Sequence, residues 1–209
     1  MTRTVGGAPV SLVLARLLQA VLVGMFAVGV LTANVALVVN AALAGAVTLV
    51  PVVLRRDFRV TLGPGLTLAV TAAAVLHVVG MAGPYETIWW WDHLTHALSA
   101  TMVAAAGYVV VRAVDENSDA IRLPQPFLSV VVLVVTLAAG VLWEVAEFAA
   151  RFVGEAVGAE PILVQYSIDD TLLDLVFDAV GAVVVAVFGG SKLSGLTDRV
   201  ADALRSARE

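Results

Sequence analysis

The 209-residue chain is 60% hydrophobic and 14% charged, with a formal net charge of −5 and a mean hydropathy of +0.97. Soluble domains carry about 25% charged residues, so this composition excludes a water-soluble globular protein and indicates an integral membrane protein. The sequence contains no cysteine, which excludes disulfides, thiolate metal sites and cysteine nucleophiles.

Six apolar segments follow one another along the chain, each close to the roughly 20 residues that a helix needs to cross about 30 Å of hydrocarbon. Continuous apolar runs such as LSVVVLVVTLAAGVL lack the alternation of barrel strands and therefore predict helices. The predicted fold is all-α, a six-helix transmembrane bundle that forms one domain over residues 1–190. The predicted spans cover residues 11–31, 34–54, 61–82, 93–113, 127–149 and 170–189.

Basic residues are concentrated on one side of this predicted bundle. Of the twelve lysine and arginine residues, which include Arg3 and Arg208 near the ends, only Arg151 falls on the opposite side. Cytoplasmic loops carry an excess of such residues. The pattern therefore predicts a multi-pass protein of the cell membrane with both termini in the cytoplasm.

Residues 191–209 are predicted to form a cytoplasmic tail. Leu196, Val200 and Leu204 recur at spacings of four, which favours a short amphipathic helix on the inner membrane surface. A solvated tail without regular structure fits the same residues equally well.

Unusual polar residues begin in span 3 and continue into span 4. His77 lies within two turns of the outer surface and, as a lone histidine on an apolar face, is interpreted as a packing residue. Span 4 follows the stretch WWWDH, whose tryptophans are typical of an aromatic belt at the membrane interface. Asp92 lies at the outer edge of this span and His96 one turn deeper, on the same helical face.

Acidic residues recur at the outer ends of spans 5 and 6. Glu144 and Glu147 are three residues apart in the last outer turns of span 5. Asp170, Asp174 and Asp178 form one continuous stripe at spacings of four along span 6. All of these groups fall in the outer half of the bilayer, which predicts a polar pocket between spans 3 to 6.

This predicted pocket is better explained by function than by packing. A charged residue deep in a membrane costs about 2.5–3.5 kcal/mol on insertion scales, whereas a polar contact between helices contributes about 0.6 kcal/mol on average. Carboxylates so close together need protons, the rim residue Arg151 or a divalent metal cofactor to balance them. Carboxylate and imidazole ligands suit Mn, Fe or Zn and, with more oxygens, Mg or Ca. The predicted metal ligands are Asp92, His96, Glu144, Asp170 and Asp174.

Three functional classes fit this pocket. The first is a metal-dependent enzyme that acts at the outer leaflet on a lipid-linked or amphiphilic substrate, with Glu147 and Asp178 as catalytic residues and Glu147 as the general base. The second is a transporter whose carboxylates relay protons or bind a cation, although spans 1–3 do not repeat the motifs of spans 4–6. The third is a structural partner of another membrane protein.

Several motifs that would define a reaction are absent from the sequence. It contains no glycine-rich phosphate loop, no HExxH and no GxSxG motif, and it has no basic face for nucleic acid. Nucleic acid is therefore not a predicted partner. The membrane location and the polar pocket predict membrane lipids and a lipid-linked substrate as partners, and the sequence does not specify the identity of this substrate.

The motifs of spans 4 to 6 resemble those of the YjdF-like family of uncharacterised polytopic membrane proteins. That pattern has an Asp-x-x-x-His pair opening one span, a Glu-x-x-Glu pair closing the next, and a Gln before Asp-Thr-x-x-Asp and Gly-Ala in the last. The matching residues here are Asp92 and His96, Glu144 and Glu147, Gln165, Asp170, Thr171 and Asp174, and Gly181 and Ala182. The layout is more distantly similar to that of VanZ-like membrane proteins. Both resemblances imply a polytopic membrane protein without specifying a reaction.

Overall fold

A computed structural model describes residues 4–5, 7–118, 120, 122–163 and 165–207, and its regular structure is almost entirely helical. The predicted all-α class is confirmed. Arg3 and Arg208, which belong to the basic residues counted in the sequence, lie outside the described residues. A short hairpin of β1 (Thr4–Val5) and β2 (Ala8–Pro9) precedes the helices. The helices are α1 (Val10–Leu31), α2 (Val35–Asp57), α3 (Pro64–Gly80), α4 (Pro84–Thr87), α5 (Trp91–Glu116), α6 (Gln125–Val157), α7 (Ile168–Lys192) and α8 (Ser194–Ser206).

Five of these helices are long and apolar enough to cross a membrane: α1, α2, α5, α6 and α7. They contain 22 to 33 residues, which corresponds to lengths of about 33–50 Å. The chain is therefore a multi-pass membrane protein, as predicted. Helix α3, which falls within the predicted span 61–82, is apolar but has only 17 residues. It begins at Pro64, and the turn at Gly83, with φ 127°, follows its end.

The ends of two helices differ from the ends of the apolar runs. Helix α6 continues to Val157, beyond the predicted end at residue 149, because hydropathy records lipid exposure whereas a helix ends where its backbone turns. That turn occurs at Gly158, whose left-handed φ of 68° favours glycine. Helix α7 begins at Ile168 because the Ser167 side chain accepts a hydrogen bond from the Asp170 amide at 3.0 Å.

Helices α5 and α7 form the most extensive helix pair of the bundle. Gly181 lies at their closest approach, where a Cβ would stand 2.7 Å from the Ala97 carbonyl oxygen and from the Thr101 amide nitrogen. The absence of a side chain lets the two backbones meet. This contact brings Asp174 and Asp178 of α7 against the first half of α5.

The two ends of the bundle differ in character. An apolar core that includes Ala104, Leu128 and Val132 fills the space between α5, α6, α7 and α8 away from the acidic residues. Beyond it, Asn117 at the end of α5 donates to the Ala201 carbonyl of α8 at 3.0 Å. The acidic residues lie at the opposite end, where α5 and α7 begin and α6 ends.

Candidate metal centre and its cavity

Helices α5 and α7 bring three candidate metal ligands together. Asp92, His96 and Asp174 each offer one ligand atom, and these atoms lie within 4.8 Å of one another. The His96 Nε2 atom is 3.8 Å from Asp92 Oδ1 and 3.9 Å from Asp174 Oδ2. One imidazole nitrogen and two carboxylate oxygens form a donor set suited to a divalent transition metal.

Some buried polar atoms of this region have no hydrogen-bond partner within the part of the chain that the structure describes. They are His93 Nδ1, Glu144 Oε1 and Asp174 Oδ1. Asp174 is only 1% exposed, and its Oδ1 lies 3.6 Å from His93 Nδ1. An unpaired buried carboxylate oxygen is costly, so Asp174 requires a positively charged partner or a proton.

Asp178 supports His96 from the side opposite the three-ligand group. Its Oδ1 lies 3.3 Å from His96 Nδ1, and the residue is 4% exposed. A Cβ at Gly140 of α6 would overlap the Asp178 carboxylate, so a larger residue at this position would displace Asp178. When Nδ1–H donates to Asp178, the His96 Nε2 lone pair is directed towards Asp92 and Asp174.

Glu144, predicted as a metal ligand, belongs to a separate hydrogen-bond chain. The Thr171 hydroxyl donates to Glu144 Oε2 at 2.7 Å, and the Gln165 side-chain amide donates to Thr171 Oγ1 at 3.0 Å. Arg151 extends this chain by donating to Gln165 Oε1 at 3.5 Å. The chain joins the end of α6 to the first turn of α7.

The predicted metal ligands therefore divide into two sets. The structure brings Asp92, His96 and Asp174 together, whereas Glu144 and Asp170 are not part of that three-ligand group. Asp170 lies in the first turn of α7, one turn closer to the end of the bundle than Asp174. Its position on the same stripe does not bring it into the group.

A cavity of about 100 Å³ lies beside the three-ligand group. Asp92, His96 and Glu147 all line it. The Trp143 indole N–H donates to Glu147 Oε1 at 2.8 Å, which holds the carboxylate in one orientation. The cavity has several polar side chains in its lining and is large enough to hold water or a small polar group.

Two tyrosines outside the membrane spans also line this cavity: Tyr85 and Tyr166. Burial raises the pKa of the Tyr85 phenol well above its usual range. Burial, and next the nearby Glu86 carboxylate, raise the pKa of Tyr166 to about 12. Both phenols are therefore protonated at neutral pH. The Tyr85 O–H donates to His77 Nδ1 at 2.9 Å, whereas Tyr166 can donate a hydrogen bond to an oxygen in the cavity.

His77 is held by partners on both sides of its ring. Its Nε2 lies 3.2 Å from Asn40 Oδ1, and its Nδ1 lies 2.9 Å from the Tyr85 hydroxyl. The ring also packs edge-on against Trp143, with a centroid distance of 5.5 Å. These contacts fit the interpretation of His77 as a packing residue that joins α2, α3 and α4.

His93 contacts Asp174 but was not among the predicted site residues. Its ring stacks on Phe177, with centroids 4.6 Å apart and planes 3° from parallel. The stacking holds His93 Nδ1 at 3.6 Å from Asp174 Oδ1. Its role could have been inferred from the sequence, because His93 lies three residues before His96. This spacing places both imidazoles on the same side of α5.

Comparison with known proteins supports a membrane family without an assigned activity. A curated protein of Thermotoga maritima, described only as an uncharacterized protein, is 28% identical over 115 residues, which cover 53% of each chain. The chain thus matches about half the length of this relative. No solved structure matches the chain. The YjdF-like and VanZ-like assignments stay predictions. The family described as "Predicted membrane protein (DUF2238)" matches residues 13–194, and the chain belongs to this family.

Proposed function

We propose that this protein binds a divalent metal ion through Asp92, His96 and Asp174 and uses it to catalyse hydrolysis or group transfer on an amphiphilic, lipid-linked substrate. The observation that carries the proposal is the convergence of three ligand atoms within 4.8 Å, one of them from a carboxylate that is 1% exposed and has an unpartnered oxygen. Three protein ligands leave coordination positions free for water and substrate, as in catalytic metal sites.

The surrounding residues have separate roles in this proposal. A divalent ion held at the site supplies a Lewis acid that polarises an ester or phosphoryl oxygen. Asp178 orients the His96 imidazole through Nδ1 and so acts as a positioning residue. Glu147 lines the same cavity and is the general base that accepts a proton from the attacking water or hydroxyl. Tyr166 donates a hydrogen bond to a substrate oxygen, and Tyr85 positions His77 by donating to its Nδ1 atom.

Proton- or cation-coupled transport is the alternative that an acidic intramembrane cluster also favours. A transport pathway would need polar groups through both halves of the bundle. Within the described helices, Ala104, Leu128 and Val132 pack in the half beyond the acidic cluster and are at most 1% exposed. This apolar core supports the enzyme over the transporter. A purely structural role would leave the buried carboxylates without a compensating benefit.

We further propose six spans, with α3 as the third, both termini in the cytoplasm and the metal centre facing the outside. Arg55, Arg112 and Lys192 all lie near the ends of helices opposite the metal centre, as expected of cytoplasmic residues. Because the chain has no native cysteine, an impermeant thiol reagent can test this in intact cells. We expect Glu160→Cys to be labelled and Ser206→Cys to be protected; the reverse pattern would refute the orientation.

The proposed activity is tested by comparing lipid extracts of the source organism with and without the gene. We expect an amphiphile that carries an ester or phosphate group to accumulate in the deletion strain. The wild-type gene should restore its normal level, and His96→Ala, which removes the imidazole ligand, should not. Unchanged lipid extracts, together with a purified protein that holds no metal, would overturn the proposal.

A further inference from the structure

A second, larger cavity lies among α2, α3, α5 and α6, and we refer to it as the apolar chamber. Its volume is about 480 Å³, which falls in the range of about 300–1,000 Å³ found for small-molecule pockets. Most of its wall is apolar. The wall includes Leu43, Val47, Val70, Ala73, Met102 and Val103.

The apolar chamber begins at the metal centre. His77, His96 and Trp143 line both the chamber and the smaller cavity beside the metal ligands. Along α5 the wall extends from Thr95 to Val103, a distance of about 12 Å. The two cavities together have charged and polar side chains at one end and an apolar wall along the rest. This distribution of polarity matches that of an amphiphile.

The two buried threonine hydroxyls in the chamber wall are satisfied by their own helices. The Thr136 hydroxyl donates to the Val132 carbonyl at 2.8 Å, and the Thr95 hydroxyl donates to the Asp92 carbonyl at 2.8 Å. These groups need no hydrogen bond from a ligand. The chamber therefore suits a hydrocarbon chain better than a polar solute.

The four helices that enclose the chamber form an incomplete ring. Helix α2 packs on α3, α3 on α5 and α5 on α6, whereas α2 and α6, both fully described, share no extended packing interface. Side chains beside this gap line the chamber and are also exposed, with Leu43 at 61%, Val47 at 47% and Trp143 at 38%. Since these helices are apolar membrane-crossing segments, the gap opens the chamber sideways to the hydrocarbon of the bilayer.

We infer that the apolar chamber binds one hydrocarbon chain of the substrate, which enters between α2 and α6 and places its polar head group at the metal centre. This inference rests on the proposed function and names its substrate class: a membrane lipid or other amphiphile whose reactive group adjoins a hydrocarbon chain. Occupation of the chamber does not require the metal, so the two claims can fail separately.

The test is photo-crosslinking of the full chain in phosphatidylglycerol vesicles that contain a phospholipid with one diazirine on an acyl chain. One probe carries the diazirine close to the ester and the other carries it at the chain end. We expect the first to label the chamber near Thr95 and the second near Val103, because these levels are about 12 Å apart. Labelling in the reverse order would contradict the proposed direction of the chain.

A matched pair of variants on α6 separates chamber binding from ordinary lipid contact. Ala139 lines the chamber, whereas its neighbour Ala138 is exposed and does not line it. Ala139→Phe should lower chamber labelling about tenfold, equivalent to about 1.4 kcal/mol of binding free energy. Ala138→Phe should leave it unchanged. Labelling of the exposed outer faces of the helices serves as the internal reference for correct folding in both variants.

The outcomes distinguish the chain-binding site from the metal reaction. Chamber labelling that persists at the wild-type level in Ala139→Phe, or that is spread evenly over all lipid-facing helices, would overturn the inference. Crosslinking of a co-purified protein helix in the gap between α2 and α6 would also overturn the inference. Strong chamber labelling in a wild-type protein that binds no metal would retain the hydrocarbon site and remove only the proposed reaction.

Discussion

Asp174→Asn should abolish the stabilisation of the protein by metal ions. Asp174 contributes a buried carboxylate to the three-ligand group, and asparagine preserves its size while removing its charge. Loss of a residue that only orients a metal ligand lowers affinity about 10–100-fold, so loss of a ligand should lower it by more than about 100-fold. At a metal concentration of 100 times Kd, the wild type should gain about 2.7 kcal/mol in free energy of unfolding, and the variant almost none.

The matched control for this variant is Asp170→Asn, which makes the same substitution one turn earlier on α7. Asp170 lies outside the three-ligand group, so its variant should keep the metal-dependent rise in the thermal unfolding midpoint. Without metal, Asp174→Asn should unfold at the wild-type temperature or above it, because it removes an uncompensated buried carboxylate. A full metal-dependent rise in Asp174→Asn would exclude this residue as a ligand.

Glu147→Gln should retain the metal and lose most of the catalytic rate. Glu147 shares the small cavity with Asp92 and His96, and its Oε1 is held by the Trp143 indole at 2.8 Å. Glutamine keeps the shape of the side chain but cannot accept a proton from the nucleophile. General acid–base catalysis contributes about 10²–10⁴-fold, so we expect kcat to fall by that factor. The assay follows conversion of the amphiphile that accumulates in the deletion strain by protein reconstituted in vesicles.

Glu86→Gln provides the matched control for Glu147→Gln, because Glu86 lines the same cavity but is exposed and lies outside the membrane spans. Its variant should change kcat by less than about tenfold, since a surface charge acts mainly on substrate encounter. Equal activity in Glu147→Gln and the wild type would remove Glu147 from the general-base role. Loss of metal in the Glu147→Gln variant would instead identify Glu147 as a ligand.

The helical membrane fold could be predicted because hydropathy reports directly which segments contact lipid. A helix that crosses hydrocarbon must be apolar over about 20 residues, and five described helices meet this condition. The exact helix ends follow local backbone chemistry instead. Ser167 caps the start of α7, and Gly158 ends α6 well beyond its apolar run. Hydropathy carries no information about either position.

The sequence could predict at which end of the bundle the candidate site lies. It could not predict which side chains of the helices face one another there. Helical spacing placed the acidic residues at one end of the bundle, yet the rotation of each helix about its axis depends on packing. The close contact at Gly181 orients α7 so that Asp174 meets His96, while Asp170, on the same stripe, does not join them. His93 was overlooked because its role depends on stacking against Phe177, a contact between helices.

The apolar chamber could not be predicted from the sequence at all. Its existence depends on how the helices pack, since α2 and α6 share no extended interface while α3 and α5 close the other side. The lining residues are ordinary for a membrane protein. Ala138 and Ala139 are identical neighbours in an apolar run, so the sequence does not indicate which of them lines the chamber. Only the packing shows that one faces the chamber and the other faces outward.

The metal content of the detergent-purified protein, measured by mass spectrometry, tests the central claim most directly. We predict about one divalent ion per chain in the wild type, and its loss in both His96→Ala and Asp174→Asn. A folded wild-type protein that remains free of metal after incubation with zinc, manganese, iron and magnesium would contradict the claim. The acidic cluster would then be balanced by protons, and transport or a structural role would become the better explanation.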